Sequence, residues 1–446
     1  MHAATLHRRT NMHDECVPPK LVDRLLALGH TEVVRGLAVA DDGDWFCARA
    51  WARLLADRGA LAEALEVLAP YVGTGWWTAA AEAARLLDAG GRGEEAVALV
   101  RPFAANGERS ALPELALLLA RHGRGEEAYE LLAPHITDWL IAEALVEVGV
   151  GLGRGDEVAA LLEARTVPET PCVRCGGPEC GGRYVQPSNA VNLLATVHEK
   201  QGRTDEAIAV LHAYGPTVVN NRDPLAELLV RHDRIDELRA YAGTPEAVRQ
   251  LAELLEERGD VAGAVDAYRD HMREDRWHTP ILLAELLARH GRGAEAIEVV
   301  RALDSAEDWV VDQLCKLFAA EGRAQEGLAH LDALKARRGR EEWELSRLRG
   351  PLMAACGRLD DALALAHPEG ASPYALESLA HLLIDAGRPQ EAVALLETDR
   401  LDHRRTLGPL LVELGRVDEA VTLLRTPNPH DVPPPEPSGY SDCPPF

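Results

Sequence analysis

The chain has 446 residues, a length that suits two to four globular domains or one continuous repeat array in which each unit packs only on its neighbours. Hydrophobic residues make up 47% of it, and 4 Phe and 8 Tyr stand against a large excess of Leu and Ala, which is typical of packed helices. The formal net charge of −25 argues against nucleic acid as a partner, because phosphate binding requires a basic stripe, and it leaves DNA mimicry as a weak alternative.

The first residues are polar and carry no helical pattern. The start MHAATLHRRTNMHDE lacks the apolar core of a secretory signal, and no run approaches the roughly 18 apolar residues that a membrane span needs. We therefore expect a cytoplasmic protein with a disordered N-terminus over residues 1–16. Only four of the 47 basic residues are Lys, a skew found in GC-rich bacterial sequences of the actinobacterial type.

A recurring string, L-L-x-x-x-G-R-x-x-E-A, divides most of the chain into units of near 32 residues. Its glycine falls at Gly29, Gly59, Gly91, Gly123, Gly153, Gly202, Gly259, Gly291, Gly322, Gly357, Gly387 and Gly415, and Asp233 takes the same place once. Two intervals deviate, because Gly153 to Gly202 spans 49 residues and Asp233 to Gly259 spans 26.

Small residues occupy two fixed places in the unit, seven before the glycine and five after it. Ala84 and Ala96 hold these places around Gly91, and Val146 and Val158 are bulky exceptions in another unit. Small side chains let two helices approach closely where they cross, and leucines flank them at helical spacing. Each unit therefore predicts a helix A, a glycine turn and a helix B.

The residues around each turn are those expected at helix ends. Glycine after helix A permits the left-handed C-cap conformation, and paired acids such as Glu94 and Glu95 favour the positive end of the helix B dipole. Prolines at Pro70, Pro102 and Pro134 predict that helix B ends early and is short. Much of the acidity is thereby interpreted as structural.

From Leu21 to Leu424 the small, glycine, small spacing resembles the tetratricopeptide repeat. The chain departs from that family in its period, near 32 against about 34, in Leu at the usual helix A tyrosine, and in its early prolines. The resemblance implies an all-α, right-handed α-solenoid of about 12–13 helical hairpins. It also implies that the A helices line a concave surface that binds proteins or peptides.

The spacing also predicts the domain organisation. We expect N-terminal helical repeats over 17–166, a Cys-rich loop insertion over 167–187, C-terminal helical repeats over 188–427 and a Pro-rich disordered tail over 428–446. The long interval and the short unit bracket one repeat between about Ser188 and Tyr241. We therefore predict a bend there, with two half-solenoids on either side.

Six of the eight tryptophans share one place, thirteen or fourteen residues before the turn glycine: Trp45, Trp77, Trp139, Trp277, Trp309 and Trp343. Asp44, Asp138, Asp308 and Glu342 precede four of them as candidate N-caps. A row of tryptophans along one edge is a candidate anchor for a partner. The alternative is that each tryptophan packs helix A onto the preceding helix B.

The insertion carries Cys172, Cys175 and Cys180 in a C-x2-C-x4-C string. A C-x2-C-G pair directs two thiolates at one metal, and Cys180 is close enough to be a third ligand, which favours a structural zinc site. Candidate fourth ligands are His198, His135 and His212, or a residue of a second copy. Redox-active or disulfide-forming thiols and an incidental Cys-rich loop are the alternatives.

Other histidines and cysteines have structural interpretations. His122, His232 and His290 stand beside turns, where a cation offsets the helix dipole. Cys47, Cys315 and Cys356 fall within predicted helices and are expected in the core.

No Walker-type loop, dinucleotide fingerprint, nucleophile elbow or H-E-x-x-H string occurs. The leading hypothesis is a non-enzymatic scaffold that binds a protein or peptide partner on the A helices, without a nucleic-acid or membrane partner. The alternative is a metal- or redox-responsive regulator acting through Cys172, Cys175 and Cys180. Zinc at that loop is the one cofactor considered.

Overall fold

The structure is a computed structural model that describes residues 2–12, 15–166, 185–215, 222–242, 244–272, 278–303, 307–339, 343–365 and 373–427. The side chains of residues 12, 343–346, 365, 373–375 and 399 lie outside this description. Residues 167–184, with the three clustered cysteines, and the tail 428–446 also lie outside it. The predictions made for those two segments therefore stay predictions.

The described residues form 27 α-helices and two 3-10 helices, and the chain divides into two units, Met1–Gly215 with Asp418–Phe446, and Pro216–Val417. Unit 1 contains α1 (Ala3–Met12) and six helix pairs: α2 (Pro19–Ala27) and α3 (Thr31–Val39), α4 (Trp45–Asp57) and α5 (Leu61–Val72), α6 (Trp77–Ala89) and α7 (Gly93–Ala105), α8 (Ala111–Arg121) and α9 (Gly125–Leu132), α10 (Trp139–Gly151) and α11 (Gly155–Glu163), α12 (Pro187–Lys200) and α13 (Thr204–Tyr214).

Unit 2 contains six further pairs: α14 (Pro224–Arg231) and α15 (Ile235–Tyr241), α16 (Pro245–Glu257) and α17 (Val261–His271), α18 (His278–Arg289) and α19 (Gly293–Arg301), α20 (Asp308–Ala320) and α21 (Ala324–Arg338), α22 (Trp343–Ala355) and α23 (Leu359–Leu365), α24 (Pro373–Asp385) and α25 (Pro389–Leu396). Helix α26 (Arg404–Glu413) precedes the turn at Gly415, and α27 (Val417–Arg425), which follows it, belongs to unit 1 from Asp418 onward. The 3-10 helices are Ala133–His135 and Glu397–Asp399. None of the described helices combines the length and apolar character that crossing a bilayer requires.

All thirteen predicted turns have the left-handed conformation, with φ from +67° to +85° at the twelve glycines and +60° at Asp233. The hydrogen bonds are those of a helix C-terminus: Arg92 N donates to Leu87 O at 2.8 Å, and Gly91 N donates to Asp88 O at 3.0 Å. The helix A, turn and helix B prediction is confirmed for the described residues.

Asp233 allows a direct test of this turn geometry. Replacing Asp233 with Ala should lower the free energy of unfolding by about 1 kcal/mol, because a Cβ-bearing residue other than Asn or Asp is strained at positive φ. Asp233→Gly is the matched control, since it removes the same carboxylate but accepts the conformation freely. Urea unfolding of both variants measures the difference, and equal stabilities would contradict the argument.

The small residues are the places where helices touch. Ala84 and Ala96 are fully buried, and both belong to a continuous apolar core that runs from α6 to α12. Burying their leucine neighbours stabilises the stack by about 1.5–3 kcal/mol per side chain, which far exceeds the contribution of any surface pair. The repeat therefore defines the core of each unit.

The acidic pairs at the start of helix B have partners that the sequence did not predict. Glu95 accepts a 2.6 Å hydrogen bond from Arg92, the residue after the turn glycine, and Glu94 accepts one of 3.2 Å from Arg124 of the next hairpin. Arg154 repeats the pattern with Glu157 and Glu126 at 3.0 Å each. Each of these exposed pairs contributes at most about 1 kcal/mol to the free energy of unfolding. In each of these hairpins they nevertheless give the acidic residues at the start of helix B a positively charged partner.

The predicted disorder of residues 1–16 is wrong for α1. Leu6 of this helix is only 2% exposed, and Cys16 and Val17, which follow it, are also buried. Thr10 Oγ1 donates to Leu6 O at 2.9 Å within the helix. The buried Leu6 side chain packs this otherwise polar helix against the rest of the protein, and the polar composition of the segment did not predict that contact.

The prolines do not end every helix B. Pro70 and Pro102 lie inside α5 and α7, which continue for two and three more residues, so that part of the prediction is wrong. A proline removes only its own N–H, and the chain beyond it still donates, as Asn106 N does to Pro102 O at 3.0 Å. Pro134, by contrast, lies in the 3-10 helix that follows the eight-residue α9.

The boundary between the two units falls between Gly215 and Pro216, inside the interval that the sequence marks as irregular. The pair that follows, α14 and α15, is short, with eight and seven residues. The bend itself stays a prediction.

Candidate functional site

The A helices of unit 1 stand next to one another, since α2, α4, α6, α8, α10 and α12 each contact the next in this order. On four of them, α4, α6, α8 and α10, two repeat positions, ten and six residues before the turn glycine, form the surface that we call the A-helix face; the same positions of α2 hold Pro19 and Asp23. Its members are Arg49, Arg53, Ala81, Arg85, Pro113, Leu117, Glu143 and Glu147. All are exposed or half-buried, so this face is open to a ligand.

One buried carboxylate joins two of the arginines. Glu82 of α6 is 3% exposed and accepts hydrogen bonds from Arg53 Nε at 2.6 Å and Nη2 at 2.8 Å, across from α4. Arg85, one turn further along α6, donates to the same carboxylate. Planar guanidinium and carboxylate groups pair in this two-bond geometry, which fixes the orientation of Arg53.

Arg49 lies beside the cluster of Arg53, Glu82 and Arg85 but does not bond to its carboxylate. Among the described residues it has no hydrogen bond and no ion pair, and its guanidinium carbon lies 5.5 Å from the centre of the Phe46 ring. Burial, together with the positive charge of Arg53, lowers the pKa of Arg49 from its ordinary value. It lines a cavity of about 220 Å³ between α2 and α4, with Val22 and Leu54 among the apolar walls.

The other end of the A-helix face is acidic. Glu147 of α10 accepts a 2.6 Å hydrogen bond from Lys200 Nζ of α12. Glu143, one turn before it, has no hydrogen bond or ion pair within the described residues. Burial raises the pKa of Glu143 from its ordinary value. Pro113 and Leu117 of α8 separate the basic and acidic ends.

The Glu82 cluster predicts how stability depends on pH. Burial alone would raise the pKa of Glu82, but the hydrogen bond from Arg53 and the charge of Arg85 outweigh it and hold the pKa below 4.5. A carboxylate with a lowered folded pKa adds stability that is present above its unfolded pKa and lost as pH falls through the folded value.

We expect Glu82→Gln to be less stable than wild type at pH 7, and to lose less stability than wild type as pH falls below about 4.5. Urea unfolding at a series of pH values measures this. Glu130→Gln, on the exposed surface of α9, is the control that should follow the wild-type curve. A Glu82→Gln curve parallel to wild type would show that the pairing adds no pH-dependent stability.

Comparison with known proteins gives one family match. Residues 373–398, which include α24, match the tetratricopeptide repeat. The chain is a tetratricopeptide-like helical-repeat protein. No protein of described function matches the sequence of this repeat protein.

Several solved structures resemble the repeat protein at low identity. The structure of Naa15/Naa10 bound to HypK-THB is 13% identical, with a TM-score of 0.41, over 95% of this chain and 77% of that chain. A tetratricopeptide repeat protein from Parabacteroides merdae is 14% identical, with a TM-score of 0.29, over 65% and 99%. The pentatricopeptide repeat protein PPR10 in complex with an 18-nt psaJ RNA element is 16% identical, with a TM-score of 0.35, over 93% and 72%.

The tryptophans of the repeat protein do not share one environment. Trp45 is 3% exposed and packs edge-on against Tyr71 and Trp76, with ring centres 5.3 and 4.8 Å away, so it belongs to the core and not to a binding edge. Trp77 is half-buried against Phe103, with ring centres 5.5 Å apart. Trp139 is half-buried, Trp309 is 38% exposed, and Trp277 and the side chain of Trp343 lie outside the described residues.

Two of the predicted N-caps are confirmed. Asp44 Oδ1 accepts from Phe46 N at 2.9 Å, and Asp138 Oδ1 accepts from Leu140 N at 3.1 Å. The prediction for Asp308 is wrong, because this residue is the first of α20 and pairs instead with Arg338 at 3.0 Å. Glu342 lies outside the described residues.

The structure describes the candidate histidine ligands of the metal but not the candidate cysteines. Cys172, Cys175 and Cys180 lie outside the described residues, within which no group of three or more His, Cys, Asp or Glu residues suits a metal ion. His198 of α12 is 7% exposed, and its Nδ1 has no hydrogen-bond partner. His135 ends the 3-10 helix after α9, and His212 lies in α13.

The remaining predicted residues have structural environments. His122 follows α8, and its Nε2 lies 2.6 Å from Oδ1 of Asp88. His290 follows α18, and its Nε2 lies 2.7 Å from Oε1 of Glu256. Each histidine therefore pairs with an acid of the preceding repeat and also stands at a helix end. His232 directly follows α14. Cys47 and Cys315 are buried as predicted, but Cys356 is half-buried just after α22.

The arginine cluster is the feature that sequence reasoning missed. Arg53 and Arg85 occupy the same repeat position, six residues before the turn glycine, so aligning charged residues by repeat position would have indicated it. Trp45 and Trp77, by contrast, precede Arg53 and Arg85 by eight residues, about two helical turns.

Proposed function

We propose that the protein is a non-enzymatic scaffold that binds an extended segment of another protein along the A-helix face of unit 1. The observation that carries the proposal is Arg49, a half-buried guanidinium that has no hydrogen bond or ion pair among the described residues and lies beside the hydrogen-bonded cluster of Arg53, Glu82 and Arg85. Holding an unpaired charge in a partly buried place costs free energy that a ligand would recover. The adjoining cavity gives room for the ligand's side chain.

The repeat architecture supports a segment rather than a small molecule. Equivalent positions recur along α4, α6, α8 and α10, so a ligand that lies across the A helices meets the same two positions in each hairpin. An extended chain presents side chains at regular intervals and suits such a surface. A protein segment is favoured over nucleic acid, because basic residues occupy one end only.

Peptide selection on the full chain tests this proposal. Displayed random peptides are selected against the purified protein, and the affinities of the selected peptides are measured by fluorescence anisotropy. Ala81→Trp places a bulky ring on the A-helix face and should weaken binding at least tenfold. Ala98→Trp, the same change on the exposed side of α7, should leave binding unchanged.

Two outcomes would overturn the proposal. Either no peptide is selected above the level of an unrelated protein, or the selected peptides bind both tryptophan variants like wild type. The second outcome would show that any binding site lies away from the A-helix face.

We also propose, as a second function, that Cys172, Cys175 and Cys180 bind a zinc ion that orders their segment without catalysis. The C-x2-C-x4-C spacing supports it, and so does His198, a buried histidine whose Nδ1 lacks a partner and lies 3.8 Å from Glu206 Oε2, beyond hydrogen-bonding distance. Thiolates with one imidazole are a common structural zinc set.

Elemental analysis of the full chain, purified without added metal, tests this second proposal. One zinc per chain in wild type and little in Cys172→Ser/Cys175→Ser would support it, with Cys315→Ser as the control for loss of an unrelated thiol. A zinc content that is absent in wild type or unchanged in the double variant would overturn it. Retention in His198→Gln would exclude only His198.

A further inference from the structure

The two ends of the A-helix face carry opposite charges. Arg49 on α4 and Glu143 on α10 hold the same repeat position, ten residues before the turn glycines Gly59 and Gly153. Neither makes a hydrogen bond or an ion pair within the described residues. The corresponding residues between them, Ala81 and Pro113, are uncharged.

The carboxylates near Arg49 form no hydrogen bond or ion pair with it. Glu82, the buried carboxylate near the arginines, accepts hydrogen bonds from Arg53 and Arg85 instead. Asp23 and Asp57 line the cavity beside Arg49, and the charges of Asp23 and Glu82 favour the charged form of Arg49 only from a distance.

At the acidic end the nearby cation is also engaged. The Nζ of Lys200 lies 2.6 Å from Glu147, one turn from Glu143 on the same side of α10. Glu143 itself is exposed, so a cation supplied from outside the chain can reach its carboxylate and pair with it.

From this charge pattern, and resting on the function proposed above, we infer that the partner segment binds through two ion pairs, one at each end of the A-helix face. A carboxylate of the segment pairs with Arg49, and a lysine or arginine pairs with Glu143. Between them, uncharged side chains of the segment cross Ala81 and Pro113 and lie beside Leu117.

The spacing of the two charges on the segment follows from the helices between them. Three steps separate α4 from α10, each about 8–10 Å between packed helix axes. An extended chain rises about 3.3 Å per residue, so the acidic and basic residues of the partner should be roughly eight residues apart.

Charge reversal on both sides of the interface tests this inference. The probes are the peptides selected on the full chain, or, if their charges vary, synthetic twelve-residue versions with one glutamate and one lysine eight residues apart. Arg49→Glu should weaken binding at least tenfold, and replacing the peptide's glutamate with lysine should restore it. Glu143→Arg should weaken binding similarly, and replacing the peptide's lysine with glutamate should restore it.

Matched controls carry the same charge changes on B helices. Arg35→Glu on α3 and Glu130→Arg on α9 should leave affinity within twofold of wild type. Circular dichroism melts that overlay wild type confirm that the reversal variants are folded. A peptide in which glutamine replaces both the glutamate and the lysine should bind wild type at least tenfold more weakly.

The inference and the proposed function fail in different ways. If peptides bind, and Ala81→Trp blocks them, but either charge reversal leaves affinity unchanged, the A-helix face binds a segment without the two-point charge recognition inferred here. If reversal weakens binding but the complementary peptide does not restore it, direct pairing is overturned. If no peptide binds, the proposed function itself fails.

Discussion

Replacing Asp223 with Ala should lower the free energy of unfolding of unit 2 by about 3 kcal/mol. Asp223 precedes α14, is 1% exposed and caps the helix by accepting from Leu225 N and Ala226 N, both at 3.1 Å. Its second oxygen accepts from Tyr241 Oη at 2.9 Å and from Thr244 Oγ1 at 2.8 Å. One carboxylate thus connects α14 to the end of α15 and the start of α16.

The expected cost is large because all four donors are buried or half-buried. Losing an N-cap costs about 1 kcal/mol, and each buried donor left without an acceptor adds about 1–3 kcal/mol before local relaxation. Thr244 is itself the N-cap of α16, where its Oγ1 accepts from Ala247 N at 3.1 Å, so the loss extends to the next hairpin. Burial and the bond to Asp223 also raise the pKa of the Tyr241 hydroxyl, which keeps it a donor.

Urea unfolding of the full chain measures the loss, and hydrogen exchange of amides in α14, α15 and α16 localises it. Asp223→Asn should fall between wild type and Asp223→Ala, because its amide oxygen can cap α14 but its amide nitrogen, which only donates, can accept from neither hydroxyl. Asp236→Ala, on the exposed first turn of α15, is the control and should cost about 0.5 kcal/mol or less. A loss no larger than that of the control would contradict the proposed role of Asp223.

The Asp223 network shows what sequence reasoning reached and where it stopped. The 26-residue interval indicates that this hairpin is irregular. The repeat pattern of the residues around Asp233 is enough to align it with the turn glycines, and its positive φ confirms that alignment. The bonds from Tyr241 and Thr244 join residues 18 and 21 positions from Asp223. Such contacts depend on how two hairpins pack, which no local pattern of the shortest unit indicates.

The predictions for the candidate site also divide into those that follow from local sequence pattern and those that depend on packing between helices. The position of Trp45 at the start of helix A was predicted from spacing and confirmed, but its burial depends on Tyr71 and Trp76 of other helices. Arg49 and Glu143 were visible as charged residues, yet their lack of partners is a property of the folded surface. Periodicity therefore predicted the helices and turns, whereas the candidate binding residues required the neighbours of each side chain.

Gly149→Ala should destabilise unit 1 by about 2 kcal/mol, although alanine favours helices more than glycine by about 1 kcal/mol. Gly149 lies in α10, and a Cβ there would be 2.4 Å from Cγ2 of Val158 in α11. Val158 is fully buried and β-branched, so it has little freedom to move aside. The Tyr129 ring, 3.5 Å from the same Cβ position, closes the other side.

This contact explains an exception in the repeat. Val158 occupies the place, five residues after the turn glycine, that alanine holds in most other hairpins, and the missing side chain of Gly149 makes room for its extra volume. The argument therefore predicts non-additivity between the two positions. Val158→Ala alone should cost about 1–2 kcal/mol by leaving a cavity beside Gly149.

In the double variant, Gly149→Ala and Val158→Ala, the new methyl group occupies the space that valine vacates. If the two single effects were additive, the double variant would lose their sum. We expect it to lose about 1–2 kcal/mol less than that sum in its free energy of unfolding. Gly151→Ala, where a Cβ would meet no atom within 4 Å, is the control for helix propensity and should be neutral or stabilising. Additive effects in the cycle, measured by urea unfolding, would show that Gly149 and Val158 do not compensate for each other, and the exception at Val158 would then need another cause.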